Sequence, residues 1–356
     1  MGNPKGSRKA RVAVIGLGMG KYHVRNYQKY ERSHVVAICD LDRTLLKDVA
    51  EEYNVPKMYT DIDEMLDASL DLDGVSIALP NYLHAPVTIK ALGVGINVLS
   101  EKPMAMNAKQ AEEMVSAARK NQRKLMVNLS YRFIGHCMAL KELIEKGTIG
   151  DTYFCKSIWH RRRGGIPKPG SWFGIKSLSG GGPLIDLGVH RLDLALWFMG
   201  YPRATSVSAS TYEHVGRRLA SEAGVEFDVE DLAAAFIRLE NGATLILETS
   251  WDGYSEKKED MVTQIYGTKG GVIQRNVGEG YDFEAKMFTE EDGILIESRI
   301  LEAGRKRSKN AMEHFADCIL DDEEPIATGE QSLKCMRVID VIYLSAKEGR
   351  EVQLSL

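Results

Sequence analysis

Short apolar runs alternate with amphipathic stretches over the first third of the chain, and a period-two pattern takes over further on. Residues 11–15 form a buried run that ends in the glycine-rich turn 16–20, and a helix is expected through His23 to Tyr30. Further apolar runs at 34–40, 58–60, 74–80, 97–103 and 124–130 read as strands. Between them the 3.6-residue spacing predicts helices over 41–53, 62–68 (entered from Asp61), 85–92 and about 107–121. Strictly alternating strand and helix imply an α/β Rossmann domain, a doubly wound parallel sheet, over 1–132.

Beyond Arg132 a short helix over 138–146 stops at Gly147, and 151–159 alternates like a strand with one wet face. The stretch 161–179 is irregular and carries Arg161, Arg162, Arg163, Trp172 and Phe173 among glycines and prolines. It reads as a substrate lid or as a surface loop pinned by its two aromatics. Pro183, behind three glycines, marks a helix start, and the following 184–199 are nearly all apolar, so that helix is expected to be buried. Strands then follow at 204–212, 231–239, 244–251, 260–266, 271–274 and 293–296, one pair joined by the turn signal Asn241-Gly242. Helices over 310–320 and about 331–348 close the chain. Residues 133–356 are therefore expected to form an α+β domain with a large, mostly antiparallel, open-faced sheet for substrate binding and oligomerisation, the last helix free to return onto the first domain. An uncovered sheet face calls for a partner, so a homodimer or homotetramer through it is expected.

Polar residues inside these apolar elements carry the candidate chemistry. Gly16, Gly18 and Gly20 follow the first strand, and Asp40 ends the second, about twenty residues on. Glycines in that position let a backbone approach a pyrophosphate at a helix N-terminus, and the acid takes ribose hydroxyls. Lys21 stands where the third small residue of the pattern belongs, with Gly20 one place early, so the turn reads as one residue short. Asp40 favours NAD by repelling a 2′-phosphate, whereas Arg43 leaves NADP open. Pro80, Asn81, His84, Glu101, Lys102 and Pro103 fall at C-terminal strand ends, where such sheets bind ligands. An ammonium there can stabilise a developing alkoxide, although a lysine beside a turn is more often a plain surface group. Asp186, His190 and Asp193 interrupt the buried helix at spacings i, i+4 and i+7, which puts them on one face. That stripe fits a general acid/base or, equally, a polar seam between helices.

Composition narrows the classes. The 356 residues carry a net charge of −4, with 44% hydrophobic and 27% charged residues, an ordinary balance for two globular domains. The basic runs 5–11, 161–163 and 305–309 lack interleaved aromatics, so no nucleic acid is expected as a partner. Five scattered cysteines without a Cys-x-x-Cys spacing argue against a disulfide framework or a metal site. No apolar stretch has the length of a membrane span, and a cytoplasmic location is expected.

Taken together, Gly16-Leu17-Gly18, Asp40, the run from Pro80 to His84, Glu101-Lys102-Pro103, Tyr131-Arg132-Phe133 and the run from Gly181 to His190 with Asp193 resemble the glucose–fructose oxidoreductase and inositol dehydrogenase (Gfo/Idh/MocA) family. Asp228 to Asp231, Asn241-Gly242, Trp251 and the run from Ser345 to Gly349 extend the resemblance over almost the whole chain. It implies an NAD(P)-dependent dehydrogenase of sugars, glycosides or cyclitols, with Lys102, Asp186 and His190 as catalytic residues. It implies cofactor contacts from Gly16, Gly18, Met19, Gly20, Asp40, Arg43, Pro80, Asn81, His84, Glu101, Lys102 and Pro103, with a cis bond before Pro103. Substrate contacts are expected from Lys102, Tyr131, Arg163, Trp172, Phe173, Asp186 and His190. An NAD-retaining glycoside hydrolase or lyase on the same scaffold, and a nucleotide-sensing protein without chemistry, are the alternatives.

Overall fold

The computed structural model describes residues 8–164, 170–301 and 309–354. Positions 165–169 of the expected lid, and parts of the basic runs at 5–11 and 305–309, lie outside the described residues. The chain divides into two compact units, and neither is a single run of sequence.

The first unit comprises Met1–Ala105, Lys109–Leu129 and Lys309–Leu333. Its strands are β1 (Ala10–Ile15), β2 (Ser33–Cys39), β3 (Lys57–Tyr59), β4 (Gly74–Ile77), β5 (Asn97–Ser100) and β6 (Leu125–Val127). They pair in parallel in the order β3-β2-β1-β4-β5-β6. The crossover helices are α1 (Gly20–Lys29), α2 (Arg43–Tyr53), α3 (Ile62–Asp67), α4 (Asn81–Gly93) and α5 (Ala108–Lys120). Asp42 and Asp61 cap α2 and α3 by accepting first-turn amides, as aspartates do at helix starts. The order reverses between β1 and β4, and that switch point is where doubly wound sheets bind ligands.

Residues 309–333, expected from the sequence to belong with the second half, group with this sheet. Asp317 on α10 (Ala311–Leu320) explains why. Only 2% exposed, its carboxylate accepts the Tyr30 hydroxyl at 2.8 Å and is bonded by the cations of Arg32 and Lys309. Phe315 lies against Gly74, where an added Cβ would meet its ring at 2.8 Å. The last helix, α11 (Gly329–Glu348), starts in this unit and continues in the other.

The second unit holds Met106–Ala108, Ser130–Ser308 and Lys334–Leu356. Its nine-stranded sheet runs β14-β13-β12-β11-β7-β10-β9-β8-β15. The strands are β7 (Thr152–Arg162), β8 (Ala204–Tyr212), β9 (Leu232–Leu239), β10 (Thr244–Gly253), β11 (Glu259–Gly267), β12 (Gly270–Asn276), β13 (Phe283–Glu291), β14 (Ile294–Arg299) and β15 (Val352–Gln353). Only the β7–β10 pair is parallel. Its helices are α6 (Gly135–Glu145), α7 (Lys176–Ser179), α8 (Val189–Phe198) and α9 (His214–Ala223). Asn241-Gly242 joins β9 to β10 as expected, with φ +82° at Gly242.

Several expectations shift. Arg161 and Arg162 are strand residues at the end of β7 rather than loop, because the β7–β11 ladder continues to Arg161. Helix α4 starts at Asn81 rather than at 85, which places Asn81 and His84 on its first turn. Helix α9 and strands β13 and β15 were not expected. In α9 only Gly216 and Ala220 are buried, and β13 has a single buried residue, Ala285.

Residues 181–199 are all buried. The helix they form packs on β7, β10 and β11, so its charges need partners. Asp193 meets Arg132, which is fully buried, with Nε to Oδ2 at 2.9 Å and Nη2 to Oδ1 at 2.5 Å, and it also accepts the Tyr201 hydroxyl. Asp193 thus serves the structural seam rather than the His190 side of the stripe. Truncation of Asp193 to Ala strands a buried guanidinium and is expected to cost about 3–5 kcal/mol, read as a lowered urea midpoint.

Candidate active site

In the first unit the glycine turn is built by exclusion. Gly16 has φ +83°, and a Cβ there would lie 2.4 Å from the Ala78 carbonyl oxygen, so only glycine fits. Around Gly18 nothing lies within 4 Å of an added Cβ. At Gly20, the first residue of α1, a Cβ would sit 2.9 Å from Val14 Cγ1 and 3.4 Å from Ala78 Cβ. Close helix-to-strand packing is the task of the third glycine in a dinucleotide turn. Gly20 performs it one position early, and Lys21 points its ammonium at Glu52 on α2, 2.7 Å away. The N-cap residue Met19 makes no side-chain cap bond, and the Lys21 and Tyr22 amides donate to the Leu17 and Met19 carbonyls at 3.2 and 3.0 Å. Asp40 closes the turn, accepting the Leu17 amide at 2.6 Å and the Asp42 amide at 2.9 Å. Arg43 is exposed at the first residue of α2, just beyond.

At the end of β5, the Lys102–Pro103 bond is cis, as the resemblance implied. Glu101 folds back so that Oε2 accepts the Lys102 amide at 3.1 Å, while Oε1 accepts Asn128 Nδ2 at 2.6 Å and meets His23 Nε2 at 2.8 Å. Burial pushes this carboxyl up, but its bonds from His23 and Asn128 and the charge of Lys102 outweigh that and hold it down at about 2. His84 is pinned between carbonyls, with Nδ1 2.7 Å from Pro103 O and Nε2 2.7 Å from Leu79 O. Its pKa lies below the ordinary imidazole value, chiefly because it is buried. Pro80 caps α4 and Asn81, 5% exposed, opens it. His23 and Asn128 escaped the sequence reading, since a lone histidine inside a helix and an asparagine after a strand carry no motif.

In the second unit, Leu184–Gly188 is wound as one π-helical turn ahead of α8. Such turns alter the side-chain register and recur at functional sites. Asp186 lies on this turn, 9% exposed, and accepts the Trp251 indole N–H at 3.0 Å. His190, 7% exposed, stands edge-on to the Tyr131 ring at 5.2 Å and tilted to Trp159 at 5.8 Å. Beneath it, the fully buried Arg191 places its guanidinium 4.5 Å from the Tyr131 ring centre and donates to Gln274 at 2.8 Å. Burial pushes the Tyr131 phenol up to about 12, and its hydroxyl meets the Met261 sulfur at 3.3 Å.

The lid residues divide. Trp172 and Phe173 stack at 3.9 Å, and Phe173 stands edge-on to Trp251 at 6.5 Å, so this pair connects to the Asp186 partner. Arg163 is exposed, its backbone amide bonded to Gly253 O at 2.9 Å. Arg161 is neutralised by Glu259 at 2.9 Å, and Glu259 also accepts the Trp159 indole N–H at 2.7 Å. Trp159 and Glu259 were not singled out from the sequence. Among the described residues no His, Cys, Asp or Glu cluster could hold a metal ion.

The chain matches the description "Oxidoreductase family, NAD-binding Rossmann fold" over residues 10–129 and "Oxidoreductase family, C-terminal alpha/beta domain" over 141–354. It belongs to the Gfo/Idh/MocA oxidoreductase family. Among its relatives is a D-glucoside 3-dehydrogenase of Escherichia coli (strain K12), 33% identical over 98% of both chains. A myo-inositol 2-dehydrogenase of Thermotoga maritima is 26% identical over 97% of this chain and 98% of its own. The solved aldose-aldose oxidoreductase of Caulobacter crescentus, crystallised with glycerol, superposes with a TM-score of 0.82 at 27% identity, covering 98% of this chain and all of that one. The first unit therefore binds a nicotinamide dinucleotide, and its glycine turn and Asp40 have the shape and polarity for it.

The low Glu101 pKa has a measurable consequence. A folded-state value near 2, below the unfolded value of about 4.3, contributes stability that is complete near neutrality and fades as pH falls through that interval. Glu101→Gln is therefore expected to destabilise the fold at neutral pH, with the gap to the wild type closing between about pH 4 and pH 2 in urea titrations.

Proposed function

We propose that this oxidoreductase oxidises a secondary hydroxyl of a pyranoside reversibly, with a glucoside as the first substrate to test. The observation that carries the reading is the pairing on one buried helix of an imidazole, held by two aromatic rings, with a carboxylate held by an indole N–H. The 33% identity to a D-glucoside 3-dehydrogenase over nearly the whole length points to the substrate class. Bound NAD supplies the hydride acceptor.

The chain's own residues do the rest. His190 takes the hydroxyl proton as general base. Lys102 donates to the same oxygen and stabilises its growing negative charge. Asp186, fixed by Trp251, orients the substrate hydroxyl and His190. Asp40 takes the adenosine ribose hydroxyls and sets a preference for NAD. Trp172 and Phe173 offer an aromatic face to a sugar ring, with Tyr131 and Arg163 as further contacts.

The outward face of the large sheet carries Phe154, Ile246, Val262 and Ile158 beside Phe236, 38% exposed, and Tyr266, 39% exposed. We infer that it pairs two copies of this chain. Phe236→Lys should lower the mass measured by light scattering without loss of the circular-dichroism signal, and an unchanged mass would remove this face from the assembly.

The reading is tested by following NADH absorbance with methyl glucopyranosides, free sugars and inositols. Stoichiometric NADH release with a glycoside supports it, whereas release of free sugar without net NADH would favour the cofactor-retaining alternative. Lys102→Met is expected to lower kcat about a hundredfold or more while leaving NADH binding within about twofold, as loss of a transition-state contact does. Asp40→Ala should raise the KM for NAD and narrow its lead over NADP.

A further inference from the structure

The three glycines ahead of the Asp186 turn are pressed from three sides. A Cβ on Gly180 would lie 2.8 Å from Met106 O, one on Gly181 would lie 1.9 Å from the Tyr343 hydroxyl, and one on Gly182 would lie 1.9 Å from Glu230 O. The Glu230 carboxylate, 7% exposed, reaches across this turn. One oxygen accepts the Gly182 amide at 3.0 Å, and the other accepts the Leu184 amide at 3.0 Å and the Tyr343 hydroxyl at 2.9 Å. Pro183, between the two amides, has no N–H to offer. One carboxylate therefore satisfies both donors at the helix start, and its charge faces the positive end of the helix dipole. Burial raises its pKa above the ordinary carboxylate value, against the pull of these bonds.

Asp186 follows the bonded Leu184 amide by two residues. On the opposite side, Gly188 admits Thr249 so closely that a Cβ would lie 2.9 Å from its Cγ2. The π turn is thus gripped at its start by Glu230 and at its end by β10, which fixes its rotation and the direction of the Asp186 and His190 side chains.

We propose that Glu230 is a positioning residue for Asp186 and His190, braced by Tyr343 from α11; this rests on the roles given to those two residues above. A glutamine is no substitute. Its single acceptor oxygen serves one amide, and its NH2 group then faces the N–H of the other. Tyr343→Phe leaves both amides bonded and removes only the brace.

The test compares wild type, E230Q, Y343F and the double variant, using NAD with methyl glucopyranoside protiated or deuterated at C3. E230Q should lower kcat by roughly ten- to a hundredfold, the scale of a reacting group misplaced by about 1 Å. KM and the NADH dissociation constant should stay within about threefold, and the primary deuterium isotope effect on kcat should rise as hydride transfer becomes limiting. Y343F should show the same signature at smaller size, and the double variant should be no slower than E230Q, as expected for residues acting through one contact. An unchanged kcat and isotope effect in either single variant overturns the proposal. So does a fall in kcat matched by equal losses in NADH affinity and melting temperature, which marks a general structural role. If E230Q does not fold, Y343F decides by the same criteria. Absence of wild-type turnover with the glucoside is a separate failure, that of the substrate reading, and the comparison then runs with myo-inositol.

Discussion

Burial of the helix that carries Asp186 and His190 is the constraint from which the second unit follows. Because 181–199 are shielded throughout, the charged side chains on it each have a designated partner, although Arg191 Nε and Nη2 make no hydrogen bond among the described residues. Asp186 has the Trp251 indole, Asp193 has Arg132 and Tyr201, and Arg191 has Gln274 with the faces of Tyr131 and Trp159. Even its backbone contributes, since the Arg191 carbonyl accepts the Ser157 hydroxyl at 3.0 Å. Those partners come from β7, β10 and β12, from the turn Ser130–Phe133 and from Tyr201 just past the helix, so the helix cannot rotate without breaking several contacts at once. In the role proposed for His190, a general base would gain from such rigidity, because proton transfer depends on fixed geometry before it depends on pKa.

The first unit solves the complementary problem of leaving room. Gly16 and Gly20 bring strand, turn and helix together where any side chain would collide, while Gly18 opens onto free space. Spacing alone made the turn look one residue short. The packing shows why the early glycine suffices: the requirement is close approach of α1 to Val14 and Ala78, and Gly20 meets it as the first helical residue. Glu101 extends the same logic to the lysine turn, binding the Lys102 amide with one oxygen and two other elements with the second.

Much of this was legible in the chain. The alternation of buried runs with amphipathic helices gave the parallel sheet, and the motifs around Gly16, Lys102 and His190 gave the family. What escaped has a common physical character. His23, Asn128, Trp159, Glu230 and Glu259 act by side-chain contacts between elements distant in sequence, and neither periodicity nor local spacing records such pairings. The i, i+4, i+7 stripe left open which of its residues act together, for a related reason. Asp193 shares the helix with His190, yet Arg132, sixty-one residues away in the chain, decides its role. Strand β13 was overlooked because a strand with a single buried residue carries a weak alternation.

The basic run at 161–163 shows how structure changes a chemical inference drawn from charge. As sequence, three adjacent arginines invite an anionic ligand. In the fold, Arg161 is spent on Glu259 and Tyr281, and Arg162 donates to Glu256 O at 3.0 Å with Glu279 at the edge of ion-pair distance. Only Arg163 is left exposed without such a partner among the described residues. Around His190, the second unit presents aromatic edges and faces with the paired Asp186 carboxylate. A carboxylate repels an anion and accepts hydroxyl protons, and aromatic faces suit the C–H surfaces of a sugar ring. On the reading proposed above, the surroundings of His190 and Asp186 favour a neutral polyol, the class of substrate named for the related glucoside and inositol dehydrogenases.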